Sequence, residues 1–372
     1  MPKFASLALF LSSSVLLPLP AATVVRGTAD RGRAVLQNQG CVKCHAIAGT
    51  GSSVSATALL KPLAREYTPA GLTATLWNHA PRMWSAMASA GIPAPRLSEQ
   101  DSADVFAFFA SLRYFEPMGD AGRGARTFNS KGCTDCHAKA GGESKALPVD
   151  RWQTPTDPIA LVGAMWNHVP RMNAEMAKKN RKWPELTSRD LSDIVLYARS
   201  FPAQRNQQIQ MDMPPLEGGD SVVEAAGCNT CHKEALGFGR QMSERTLTDI
   251  AAAMWNHAPK MMQNPSPIST EEMRKVLGAI WSKQFVRPVG DSAKGRKVAE
   301  TKKCVACHES GPGPRFNKLS GSYSVLRLTS ALWGHGDSML SQMKAKGISW
   351  PRMTTSDVEN LIAYIDSGRT PK

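Results

Sequence analysis

All eight cysteines of this 372-residue chain fall in four copies of one pentapeptide, Cys-x-x-Cys-His. The copies are Cys41-Val-Lys-Cys44-His45, Cys133-Thr-Asp-Cys136-His137, Cys228-Asn-Thr-Cys231-His232 and Cys304-Val-Ala-Cys307-His308. Two thiols with two residues between them match the two vinyl groups on one porphyrin edge, and the histidine that follows is held under the iron. The pattern predicts four covalently attached haem c groups (iron), anchored on these cysteines, with His45, His137, His232 and His308 as proximal ligands. Competing chemistries explain less. Four-cysteine zinc sites give no reason for a histidine after every second cysteine. A redox-active Cys-x-x-Cys is usually single and sits at a strand-to-helix junction. Structural disulfides would suit an exported chain, yet they also leave the four histidines without a task.

Two further markers follow each motif. The first reads Trp77-Asn-His79-Ala-Pro-Arg-Met83, Trp166-Asn-His168-Val-Pro-Arg-Met172, Trp255-Asn-His257-Ala-Pro-Lys-Met261 and Trp333-Gly-His335-Gly-Asp-Ser-Met339. The second is a helix-start signature, Ser98–Asp101, Thr187–Asp190, Ser269–Glu272 and Thr354–Asp357, each ahead of an apolar-periodic segment. Three markers in constant order define four repeats, and successive first cysteines lie 76 to 95 residues apart. That period is long enough for each unit to be a domain rather than a solenoid repeat. Gly/Asp/Pro clusters place the boundaries, giving 23–117, 118–208, 209–287 and 288–372 as repeats 1 to 4. After each Gly-Asp a short helix is expected to run into the cysteine motif. Strand signals are almost absent, so the expected fold class is all-α. A core of about 80 residues is marginal alone, and a covalent porphyrin would supply its apolar centre.

Each repeat resembles a class I cytochrome c domain: N-terminal helix, Cys-x-x-Cys-His, middle helix, distal-ligand loop and C-terminal helix. The resemblance covers essentially all of residues 25–372 as four tandem copies. It implies electron-transfer modules in which a histidine ligates iron on one side and a methionine sulfur usually ligates on the other. The family does not usually carry Trp-Asn-His at the end of the middle helix.

Three ligand sets compete for the second axial position. Met83, Met172, Met261 and Met339, four residues after the marker histidine, occur in every repeat and are the expected ligands. Met87, Met176 and Met343, four residues further on, occur in three, while repeat 3 has Pro265 there and offers Met262. The segments around Met87 and Met343 resemble the distal-methionine stretch of mitochondrial cytochrome c. His79, His168, His257 and His335 form the third set, and bis-histidine ligation would use all eight histidines of the chain. The proline after the marker in repeats 1 to 3 is expected to interrupt the middle helix or begin a new turn, placing the following methionines near the haem face. The marker tryptophans are expected either in the core or against porphyrin.

Residues 1–22 read as a cleavable signal peptide: a short basic start, an apolar run from Phe4 to Leu19, then small residues at Ala21-Ala22. Pro18 and Pro20 break that run and it is short for a span, so no membrane span is expected in the mature chain and the expected location is periplasmic or secreted. The formal charge of +14 divides as +3, +5, −1 and +6 over repeats 1 to 4. Haem propionates would offset part of it, so nucleic acid is a poor fit and acidic redox partner proteins a better one. The run Lys178-Lys-Asn-Arg181-Lys182 in repeat 2 is a candidate contact for such a partner. The expected function is electron transfer between redox partners, without catalytic residues. Two alternatives stand beside it: the cytochrome subunit of a dehydrogenase or reductase complex, and a multihaem peroxidase using the divergent third repeat.

Overall fold

The computed structural model describes residues 27–46, 68–112, 119–138, 146–152, 158–202, 219–232, 245–261, 267–282, 285 and 290–368. Among these residues every regular element is helical. Residues 1–22, the three boundaries at 117/118, 208/209 and 287/288, Met262 and Pro265 lie outside them.

Each repeat supplies an N-terminal helix: α1 (Ala29–Asn38), α4 (Ala121–Ser130), α8 (Gly219–Ala225) and α11 (Ser292–Thr301). Middle helices are α2 (Pro69–Ser89), α6 (Pro158–Lys178), α9 (Leu247–Met261) and α13 (Val325–Ala345). C-terminal helices are α3 (Glu99–Ser111), α7 (Ser188–Arg199), α10 (Thr270–Ser282) and α14 (Thr355–Ser367). Two single turns, α5 (Thr134–His137) and α12 (Val305–His308), complete the set. All four helix-start signatures act as expected. Ser98, Thr187 and Thr354 exchange reciprocal bonds with Asp101, Asp190 and Asp357, and Ser269 does the same with Glu272.

In every repeat the N-terminal helix packs across the C-terminal one. Buried carboxylates fix two of these crossings. Asp104 accepts from Thr28 N at 2.7 Å and from Arg31 Nε and Nη2 at 2.9 Å; Asp193 repeats the pattern with Asp120 N and Arg123. Repeat 4 uses a neutral counterpart, Asn360 Oδ1 accepting from Asp291 N at 2.8 Å.

The middle helices correct one expectation. Proline does not interrupt them: α2, α6 and α9 run straight through Pro81, Pro170 and Pro259. A proline inside a helix cannot donate to the carbonyl four residues back, and that carbonyl needs another partner. For Pro81 the orphan is Trp77 O, which accepts from Trp350 Nε1 at 3.0 Å. For Pro259 it is Trp255 O, which accepts from Trp183 Nε1 at 3.1 Å. Both indoles sit four residues before the cap of a C-terminal helix in another repeat. The counterpart of this proline in α13 is Asp337, which keeps its own N–H, and the counterpart of the indole in repeat 1 is Ala94.

These bonds belong to a larger docking device. Trp77 Nε1 donates to Pro351 O, and Asn78 bonds both the N–H and the C=O of Met353, each at 2.8 Å. Trp255 and Asn256 grip Pro184 and Leu186 in the same way, while Asn167 grips Ile268. Repeat 1 is thereby joined to repeat 4, with α2 packed on α13 and α14, and repeat 2 to repeat 3, with α6 packed on α9 and α10. One joint is improvised. Where repeat 1 has Ala94, Trp84 fills the place of an indole, with ring centroids 6.2 Å from Trp333 and 5.6 Å from Trp350. Gly336 makes the room, since a Cβ there would lie 2.6 Å from Trp84 Cη2. Buried side chains from all four repeats form one connected apolar core, and no described helix is long and apolar enough to cross a membrane.

Candidate functional site

The chain reaches each Cys-x-x-Cys-His through a residue in the left-handed region: Gly40, Gly132 and Gly227 at φ 72° to 77°, and Lys303 at 61°. Glycine reaches this conformation freely and lysine does not. The motif itself is a single turn, closed by the histidine N–H donating to the first cysteine's carbonyl at 2.8 to 2.9 Å in all four copies. Both thiols and the ring are therefore displayed from one turn at the end of the N-terminal helix. Burial pushes the Cys41, Cys133 and Cys304 thiols up to about 11 and raises Cys228 as well, so the chain alone favours neutral thiols there.

Across from each motif histidine stands the marker histidine of the same repeat. Ring centroids are 6.4 Å apart for His45 and His79, 6.1 Å for His137 and His168, 6.3 Å for His232 and His257, and 6.4 Å for His308 and His335. The interplanar angles run from 62° to 66°. An imidazole nitrogen lies about 2 Å from a bound metal and about 1.1 Å from its own ring centroid, so two imidazoles sharing one ion have centroids about 6.3 Å apart. All four pairs meet that spacing. Among the described residues no three His, Cys, Asp or Glu side chains form a group able to hold a metal by themselves. Two nitrogens are too few for a zinc site, but they suit an ion whose other four nitrogens come from a porphyrin.

The surroundings favour coordination. Burial, followed by the facing histidine, lowers the pKa of His79, His168, His257 and His335, so the ring that faces each motif histidine is held neutral. His137 Nδ1 lies 2.9 Å from Leu147 O, and His308 Nδ1 lies 2.9 Å from Pro314 O. A carbonyl only accepts, so each Nδ1 carries a proton, and Nε2 is the nitrogen left to bind a metal. Phe316 stacks flat on His308 at 4.7 Å, and Trp152 meets His137 edge-on at 5.5 Å. Sequence reasoning missed these four supporting residues, which lie between the motif and the middle helix in segments without a repeated signature.

The expected methionine ligands stand further along. Because the middle helix continues past its proline, the marker histidine is the side chain set opposite the motif histidine. Met83, Met172 and Met261 fall one turn beyond it on the same helix, partly buried against the apolar core, as does Met339 in α13. Met87, Met176 and Met343 lie a second turn on, and their carbonyls cap the helix by accepting from Ile92, Arg181 and Ile348 N. The marker tryptophans are buried and, in repeats 1 and 3, serve the docking of another repeat. The basic run is partly neutralised: Lys178 pairs with Glu175 at 2.7 Å and Arg181 with Asp135, which sits between the thiols of repeat 2. Lys179 Nζ comes within 3.9 Å of Cys136 Sγ, so this run borders the second cysteine motif. Comparison with protein-family models, curated proteins and solved structures finds no match to the chain.

Proposed function

We propose that the chain is a tetrahaem c-type cytochrome that carries electrons between redox partners, built as four class I-like units. Each haem is anchored by the two cysteines of its motif and held between two histidines: His45 and His79, His137 and His168, His232 and His257, His308 and His335. The observation that carries this reading is the set of four histidine pairs at 6.1 to 6.4 Å, each starting from a Cys-x-x-Cys-His turn. When bound, haem iron supplies one-electron chemistry between ferric and ferrous states. The chain's own residues fix both axial positions, set the imidazole tautomer in repeats 2 and 4, and surround the site with apolar helices. Two protein ligands per iron leave no open position, which favours a carrier over a peroxidase. The third pair has the same geometry as the others, which removes the argument for a specialised catalytic repeat. Histidine in place of methionine sets the potentials lower than His/Met ligation would. Export through residues 1–22 and acidic protein partners complete the proposal.

The test is the optical and mass spectrum of protein made in an exporting, haem-attaching host. Four haem additions, a low-spin ferric spectrum and no far-red sulfur-to-iron band are expected. A band of that kind lost in Met83→Ala would return the ligand role to Met83, Met172, Met261 and Met339. Free thiols or bound zinc would overturn the haem reading altogether.

A further inference from the structure

We propose that the four haem sites are wired as two pairs, repeat 1 with repeat 4 and repeat 2 with repeat 3, and that the Trp-Asn of the marker is the device that sets this order. The inference rests on the haem reading above. Tandem repeats would ordinarily be taken to pass electrons along the chain, 1 to 2 to 3 to 4. The packing is different.

The helices that carry the marker histidines touch across repeats. α2 and α13 meet at Thr73 and Thr329, whose hydroxyls are 2.9 Å apart. Each threonine lies six residues before its histidine, so His79 and His335 each stand about 9 Å along their helix from one common crossing point. Trp84, five residues beyond His79, contacts Gly336, the neighbour of His335. The Arg96 guanidinium of repeat 1 donates to Gly334 O on the other side of the same histidine. In the second pair α6 packs on α9, and buried Val162 and Ala251 hold the positions six residues before His168 and His257. Trp183 and Trp255, 4.3 Å between centroids with planes tilted by 37°, bring repeat 2 to within two residues of His257.

Asn78, Asn167 and Asn256 each lie directly before a marker histidine, and each grips the backbone of the paired repeat through two hydrogen bonds. Ligand and docking contact are therefore adjacent in sequence, and the marker couples iron binding to the choice of neighbour. Transfer within a pair moves one electron from a ferrous to a ferric site. It forms and breaks no bond and needs no proton.

An electron on one site lowers the potential of a close neighbour more than that of a distant one, because Coulomb energy falls with distance. In an NMR redox titration of the loaded full-length chain, haem methyl signals are followed through successive stages of reduction. The single variants His79→Met, His168→Met, His257→Met and His335→Met assign them. Couplings 1–4 and 2–3 should be at least about twice those of 1–2 and 3–4. Asn256→Ala combined with Trp183→Phe should lower the 2–3 coupling and leave 1–4 unchanged. Largest couplings along the chain order, or equal couplings throughout, would overturn the wiring while leaving the haem reading intact. Fewer than four haems by mass would overturn both.

Discussion

Replacing Trp350 with phenylalanine isolates the bond that permits Pro81. The stacking face remains, since Trp77 and Trp350 meet at 4.7 Å with planes 27° apart, but the indole N–H is lost. Trp77 O, already without its helical donor because residue 81 is proline, then has no donor from either source. An orphaned carbonyl inside an interface costs about 1–3 kcal/mol, and the smaller ring adds a packing loss of about 1 kcal/mol. Pro81→Ala restores an N–H directly beneath that carbonyl. In the Pro81→Ala background, Trp350→Phe should therefore cost only the packing loss. A double-mutant cycle measured by denaturant unfolding, with haem absorbance and far-UV circular dichroism as separate probes, should give a coupling of about 1–3 kcal/mol. Equal costs of Trp350→Phe in the parent chain and in the Pro81→Ala variant would refute the reasoning.

Four further outcomes follow from single features. Gly336→Ala should lower the unfolding midpoint, because overpacking against buried Trp84 costs about 1–3 kcal/mol, whereas Gly334→Ala on the same helix meets open space and should stabilise by up to about 1 kcal/mol. Lys303→Gly should stabilise repeat 4 by about 1 kcal/mol, since φ 61° is strained for lysine, and the unfolding midpoint of the fourth haem reports it. The marker histidines have lowered folded pKa values, so their contribution to stability is complete above the ordinary value of about 6.5. It is lost as pH falls through the lower folded values, so the denaturant midpoint of the haem-free chain, read by far-UV circular dichroism, should stay level above about pH 7 and decline only on the acid side. Neutralising Lys179, which borders the motif of repeat 2, together with Lys182 of the same basic run should slow reduction by an acidic donor at low salt and flatten its salt dependence.

Local features of this fold are readable from the chain. The capping pairs at Ser98, Thr187, Ser269 and Thr354 give the C-terminal helices their starts, and the motif turns follow from four cysteine pentapeptides in constant order. Pro81 and Pro259 mislead because a proline's effect on a helix depends on what meets the freed carbonyl. Here that partner is an indole 269 residues later in one case and 76 residues earlier in the other, beyond any local window. The same distance hides the role of Trp-Asn. Read within one repeat it is a tryptophan at a helix end, and only the packing of repeat 4 on repeat 1 gives Asn78 its backbone to hold. The proposed ligand set is half legible: eight histidines in two series of four admit pairing, but the preference for histidine over methionine turns on whether α2 continues beyond Pro81.

The nested pairing also imposes an order on folding. A chain emerging from its N-terminus completes repeat 1 first, yet the surface that α2 offers to α13 and α14 waits until the last 85 residues, 288–372, have been made. Repeats 2 and 3 are neighbours in sequence and can close on each other in the meantime. Trp77 and Trp84, which repeat 4 covers in the finished fold, are exposed to water throughout that interval, which makes repeat 1 the aggregation-prone stage of biogenesis. Closure then spans more than 250 residues, so it should be the slow phase of refolding. A chain truncated before residue 288 would keep three Cys-x-x-Cys-His motifs and a complete inner pair, while its first repeat would remain an open half-interface, prone to capture repeat 4 of another molecule by domain swapping.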